Sequence, residues 1–370
     1  LVENARGKTG TATEANYPVV SVAADTSGSQ DHVYVAFRQS LPQQPTAVSN
    51  SMIGVSNDGG TTFAPPVNLN NFSSTSFTDK TGKSYPVTYS TPHVAAGDGV
   101  VWAVTGGSLP RSVQGAPSQP LFVGTSTDHG KTFSMKPVTP AGASQPAIQW
   151  IPQGGSQGTV LLAYQYKVGQ TQGSSDIYFQ RSTDAGKTWS PPARLNDDDP
   201  NNQTYHLLPN MGVAPNGRVD VVWYDFRNSQ SFADDVYYTY STDNGVTWAR
   251  NVRATDQIVN RNIGINNNSD VRQPPGVGSS NQAAVIGWSD TRLGTDQTQT
   301  QDVFADVVQF KALPSGGSNK TLRYLAAGAA GLAVAGLIVA LIALSRRRRG
   351  DTPPPPPAPM AREREPVGVS

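Results

Sequence analysis

The stretch Ser182-Thr183-Asp184-Ala185-Gly186-Lys187-Thr188-Trp189 places a hydroxyl, a carboxylate, a glycine and an aromatic ring within eight positions. Each has a local physical use. Ser and Asp side chains bond to the backbone amides of a tight turn, Gly supplies a left-handed conformation, and the aromatic returns to a core. One such turn is ordinary. The template Ser-x-Asp-x-Gly-x-Thr-aromatic, however, recurs from Ser56 to Phe63, from Ser126 to Phe133 and from Ser241 to Trp248, with every specified position filled. Its aspartates, Asp58, Asp128, Asp184 and Asp243, are spaced 70, 56 and 59 residues apart, and four complete copies predict a repeat architecture.

Working outward, each copy sits in the same surroundings. Apolar alternating stretches lie upstream, such as Thr159 to Tyr164 and Val219 to Tyr224, and a second set precedes the motif directly, such as Asp176 to Arg181 and Asp235 to Tyr240. Earlier still comes a short opening strand near Pro18, Pro92, Pro146, Pro209 and Pro275. With the strand after the motif, each unit has four strands of period two, which is the composition of a β-propeller blade.

These motifs are similar to Asp-boxes, also called bacterial neuraminidase repeats, and residues 17–310 resemble the sialidase-type propeller. The resemblance implies an all-β fold with five recognisable four-stranded blades of an expected six. The fifth unit has no box; Asp302 to Val307 reads as its third strand, and the domain ends near Phe310. Asp-box propellers include exo-sialidases and other glycan hydrolases, and also sortilin-type receptors without catalysis, so the repeat implies a fold and leaves function open. The combination of box propeller, apolar span and polybasic stop resembles sialidase-like proteins of actinobacteria.

If the box tips the hairpin between third and fourth strands, the other ends of the blades carry the ligand face in the family. At those positions stand Arg38, Tyr205, His206, Asp225, Arg227, Asp270, Arg272, Asp290 and Arg292. An arginine cluster suits a planar carboxylate such as that of a sialic acid. The alternative is bracing, because alternation puts both side chains of Asp225-x-Arg227 and of Asp290-x-Arg292 on one face, where they neutralise each other. The resemblance also implies a Tyr nucleophile with a Glu as its base, yet Glu occurs only at Glu3, Glu14, Glu363 and Glu365. No catalytic residue is therefore assigned. The histidines His32, His93, His129 and His206 are widely spaced, and Asn196 to Asp199 with Asn201 lacks a defined calcium loop, so neither metal nor cofactor is expected.

Composition bounds the rest. There is no Cys, which removes disulfide scaffolds and thiolate chemistry. Residues 1–320 carry a net −3 and residues 321–370 a net +4, so the body lacks the basic surface that nucleic-acid binding requires. Leu325 to Leu344 is unbroken in Leu, Ala, Gly, Val and Ile, long enough for the roughly 30 Å of a bilayer core. Arg346 to Arg349 follow it, placing the tail in the cytoplasm and the large N-terminal part outside. The expected organisation is a remnant over 1–16, the propeller over 17–312, a linker over 313–323, a membrane helix over 324–345 and a basic, Pro-rich tail over 346–370. No export signal is visible at Leu1 to Lys8, so an upstream segment is expected.

Two functions follow from this reading. One is a membrane-anchored external propeller that binds a glycan or a cell-surface protein without turnover. The other is an exo-acting glycoside hydrolase of the exo-alpha-sialidase type, with its remaining catalytic residues upstream.

Overall fold

The computed structural model of the chain describes residues 21–41, 48–110, 113, 115–155, 157–166, 174–229, 233–264 and 273–310. They form five antiparallel sheets made from consecutive strands. The first comprises Ser21–Asp25, His32–Leu41, Val48–Ser56 and Val67–Asn68, and the second His93–Gly97, Val100–Ser108, Leu121–Ser126 and Ser134–Pro137, with Thr88–Tyr89 also paired to Val100–Ser108. The third contains Ser144–Ile151, Thr159–Tyr166, Asp176–Ser182 and Ala193–Arg194; the fourth, His206–Val213, Val219–Asp225, Ala233–Ser241 and Val252–Arg253, with Val259–Asn260 also paired to Ala233–Ser241. The fifth has three strands among the described residues, Gly276–Ser279, Ala283–Asp290 and Asp302–Gln309. A small ribbon of Ser76–Thr78 with Ser84–Pro86 lies between the first and second sheets in sequence. The chain is thus all-β, with one 3-10 turn at Leu69–Phe72 among the described residues.

Consecutive sheets pack face to face. One apolar cluster joins Tyr34 and Ile53 of the first sheet to Val101 and Phe122 of the second, and the next joins Trp102 and Leu121 to Leu162 and Tyr164 of the third. Phe179 of the third sheet meets Val221 and Trp223 of the fourth, and Tyr238 of the fourth meets Ile286 and Trp288 of the fifth. A sheet covered on both faces buries side chains at every position, whereas one covered on a single face alternates. The second strands follow this rule: Thr159 to Gln165 and Val219 to Asp225 are buried throughout, while Ala283–Asp290 alternates between buried and half-buried.

All four Asp-boxes begin on the last residue of a third strand, as the hairpin reading requires. Within the third sheet's box, the Ser182 hydroxyl donates to Asp184 Oδ1 at 2.8 Å and accepts from the Gly186 amide. Asp184 in turn accepts from the Thr188 amide at 2.9 Å and from its hydroxyl at 2.6 Å. The geometry adds a requirement that the template hides. Two consecutive residues are left-handed in every box, for example Ala185 and Gly186 with φ of 61° and 85°. The turn also docks on the preceding sheet, since Trp102 Nε1 donates to the Ala185 carbonyl at 3.0 Å.

The linker 313–323, the apolar run from Leu325 to Leu344 and the tail 346–370 lie outside the described residues, as do 1–16. Among the described residues no helix is long and apolar enough to cross a membrane.

Candidate functional site

Strand register aligns the sheets residue by residue. Counting from the residue opposite each box serine, Ala36, Val104, Ala163 and Val222 are equivalent, and their partners on the first strands are Ser21, His93, Ala147 and Asn210. These four residues, which share a strand position but no chemistry, line one cavity of about 100 Å³. Gln145, Gln149, Leu208 and Pro274 contribute to the same wall, so all five sheets or their immediate flanks take part.

The cavity is tied together by hydrogen bonds between neighbouring first strands. The Val94 amide donates to Ser21 Oγ at 3.1 Å, Gln149 Nε2 to the Met211 carbonyl at 3.2 Å, and Asn210 Nδ2 to the Pro275 carbonyl at 3.0 Å. Two strained residues face it. Gln145 and Leu208, each preceding a proline at a bulge, hold φ of 50° and 54°, a conformation that costs a side-chain-bearing residue roughly 1–2 kcal/mol. Burial pushes the His93 imidazole down to about 4, so it is neutral at neutral pH. Among the described residues, no carboxylate or guanidinium lines this cavity. It offers uncharged donors and acceptors beside apolar surface.

The charged candidates fall elsewhere, in repeated pairs. Asp225 Oδ2 accepts from Trp223 Nε1 at 2.9 Å, and its Oδ1 accepts from the Arg227 amide at 2.9 Å and from Arg227 Nε at 3.0 Å. The Arg227 guanidinium also reaches Asp197 at 2.7 Å and Asn251 at 3.1 Å, and stacks on Tyr237 at 4.1 Å. Trp288, Asp290 and Arg292 reproduce this, with Asp256 in place of Asp197 and Phe304 in place of Tyr237. Burial opposes ionisation of Asp290, but hydrogen bonds from Arg292 and Trp288 outweigh it and hold the carboxyl below its usual range.

His206 is fully buried and sits opposite Asp225 in the fourth sheet. Its Nδ1 lies 2.7 Å from the Ser175 carbonyl, so that nitrogen donates, and Nε2 faces Asp198 at 3.2 Å and Asp225 at 3.4 Å. Asp176, Asp198 and His206 have ligand atoms close enough for a metal ion. Arg194 already donates to Asp176 Oδ1 at 2.8 Å and Asp198 Oδ1 at 2.9 Å, and Asn196 Nδ2 donates to both at 2.7 Å. A cation there would compete with a guanidinium for the same oxygens, so the donor set fits a brace better than a metal. Arg253 pairs with Asp235 at 2.7 Å in the equivalent place of the fourth sheet, which marks the arrangement as repeated scaffold.

The structure therefore brings together Asp225, Arg227 and His206, and keeps Asp290 with Arg292 as a separate pair. Tyr205 is 38% exposed, edge-on to Phe226 at 6.4 Å. Arg38 lies within its strand, two residues past Ala36, in register with Tyr224 rather than with Asp225 or Arg227. Asp270 and Arg272 lie outside the described residues. Sequence reasoning passed over Ser21, Gln145 and Asn210, and weighed His93 only as a metal ligand. The one available signal was their place at or beside the end of an opening strand, next to the prolines in three of the sheets.

These features define an all-β protein built from Asp-box units. The BNR/Asp-box repeat profile matches residues 180–191. Among solved structures, the chain is similar to the leech intramolecular trans-sialidase, at 12% identity and a TM-score of 0.44, covering 80% of this chain and 62% of that one. It is also similar to a Dyadobacter fermentans protein of unknown function, at 15% identity and 0.46 over 79% and 82% of the two chains. A third likeness is to the Penicillium chrysogenum alpha-L-arabinanase, at 15% identity and 0.43 over 80% and 95%. The chain thus spans less than two thirds of the leech protein. No curated protein sequence matches.

Proposed function

We propose that the five sheets are blades of a sialidase-like β-propeller, held outside a cell membrane by the apolar run Leu325 to Leu344, and that it binds a glycan without turnover. The observation that carries this reading is the first-strand cavity, in which Ser21, His93, Asn210 and Gln145 present uncharged hydrogen-bonding groups with no carboxylate among the described residues. Glycoside hydrolysis ordinarily uses two carboxyl groups about 5–9.5 Å apart across the scissile bond. A neutral hydroxyl-rich ligand needs only donors, acceptors and apolar surface. The Arg227 and Arg292 pairs are braces between sheets in this reading, since their guanidinium groups are engaged by Asp225, Asp197, Asp290 and Asp256. Support for the tether comes from the apolar length and from Arg346 to Arg349 behind it.

The test is glycan-array binding by the full chain, with His93→Ala and Gln145→Ala alongside, and a fluorogenic sialoside and arabinofuranoside assayed for release. Binding that drops about tenfold in either variant, with no release, is expected. Steady release that disappears in Arg227→Ala or Arg292→Ala, with the circular dichroism of the wild type retained, would make the protein a hydrolase instead.

A further inference from the structure

The second strand of the fifth sheet repeats that of the fourth, with Trp288, Asp290 and Arg292 for Trp223, Asp225 and Arg227. Register carries the likeness to the third strands, where Asp302 stands for Asp235, Phe304 for Tyr237 and Ala305 for Tyr238. In the fourth sheet, the fourth strand and its approach complete this frame. Arg253 pairs with Asp235 at 2.7 Å. Asn251 Oδ1 accepts from Arg227 Nη2 at 3.1 Å, and the Asn251 amide donates to Asp197 at 3.0 Å. The third sheet repeats the ion pair, with Arg194 donating to Asp176 at 2.8 Å. In the fifth sheet Arg292 has Asp290 and Asp256, the counterparts of Asp225 and Asp197. Among the described residues, however, no asparagine joins them and nothing pairs with Asp302. The strand Asp302–Gln309 is also an open edge in continuous register, with Val303 82% and Val307 44% exposed. Its outward amides and carbonyls are a template for one more strand.

Chain order says which segment supplies it. A sheet's fourth strand precedes the first strand of the next sheet: Val67–Asn68 comes before His93–Gly97, and Ser134–Pro137 before Ser144–Ile151. Ala193–Arg194 likewise comes before His206–Val213, and Val252–Arg253 before Gly276–Ser279. Ser21–Asp25 is a first strand as well, so the residues before it stand where this order puts a fourth strand. Residues 1–20 lie outside the described residues, and their sequence contains Asn4-Ala5-Arg6, which repeats the Asn-x-Arg of Asn251-Val252-Arg253. No other segment outside the described residues contains Asn-x-Arg. The spacing agrees. Arg6 precedes Ser21 by 15 residues, between the 12 from Arg194 to His206 and the 23 from Arg253 to Gly276.

We propose that Asn4 to Arg6 is the fourth strand of the fifth sheet, laid antiparallel on Asp302–Gln309. Ala5 then faces Ala305, Arg6 faces Phe304 and reaches Asp302, and Asn4 joins Arg292 and Asp256. The pairing fastens the first sheet to the fifth, the two that bring Ser21 and Pro274 to the first-strand cavity. It does not depend on what that cavity binds.

The chain has no Cys, so one introduced pair reports without competition. In the full chain under mild oxidation, Ala5→Cys with Ala305→Cys should close an intramolecular disulfide, because opposed residues of an antiparallel pair hold their Cα atoms about 4.5–5.5 Å apart. Ala5→Cys with Val246→Cys, on the box turn of the fourth sheet, should cross-link at least about tenfold less. A second measurement leaves the edge without cysteines. Arg6→Ala and Asp302→Ala should each lower the melting temperature by about 1–3 °C, and the double variant by no more than the larger single loss. A cross-link between two copies would assign the edge to a second chain and overturn the proposal. So would equal cross-linking of both pairs, no cross-link to Ala305, or additive losses in the double variant.

Discussion

A glycine at the fifth box position answers two demands at once, and they can be separated. Gly245 has φ of 79°, and a Cβ built on it would lie 2.5 Å from the Phe179 ring of the preceding sheet. Gly82, in the ribbon turn, has φ of 84° with nothing within 4 Å of such a Cβ. Gly82→Ala should therefore cost only the backbone strain, about 1–2 kcal/mol. For Gly245→Ala the overpacking adds to it, for a total of about 2–5 kcal/mol. Urea denaturation of the two variants checks this, and equal losses would show that the box does not press on its neighbour. The template announced the glycine but not the second left-handed residue, because Gly59, His129, Ala185 and Asn244 share a conformation without sharing a side chain.

At the scale of an element, the box is a carboxylate cage with a pH signature. Burial works against ionisation of Asp128, Asp184 and Asp243, but hydrogen bonds from the threonine hydroxyl and amide and from the serine outweigh it, and each carboxyl is lowered from 3.8 to about 2. A folded-state value below the unfolded one means a stabilisation that is complete above about pH 4 and lost as pH falls towards 2. The melting temperature should fall through that window, and fall less steeply when Thr188→Val and Thr247→Val have already removed the hydroxyl donors. Identical slopes would place the acid sensitivity elsewhere. The boxes and strands were legible because this chemistry is local, spanning eight residues. The Asp-x-Arg pairs were half legible. Alternation showed that Asp225 and Arg227 share a face, but the acids that complete the brackets, Asp197 and Asp256, are supplied by the preceding sheet from 30 and 36 residues away in sequence.

Across the molecule, burial grades from sheet to sheet. The second strands of the third and fourth sheets are covered on both faces, while the outer strand of the fifth leaves Val303 82% exposed and the first strand of the first leaves Val22 61% exposed. Local opening follows burial of this kind. Amide hydrogen exchange should therefore be slowest in Thr159–Tyr166 and Val219–Asp225, and at least about tenfold faster in Ser21–Asp25 and Asp302–Gln309. Uniform protection would mean that the five sheets open as one unit. The first-strand cavity was the least legible feature, because no residue type recurs at its positions and only register over the whole domain reveals them.

That same irregularity has a consequence for how such a protein changes. The boxes, braces and buried strands fix the backbone, while Ser21, His93, Ala147 and Asn210 are four unlike side chains delivered by one scaffold coordinate to one opening. Substitutions there can recompose the recognition surface a letter at a time, and the frame that presents it is specified by other residues.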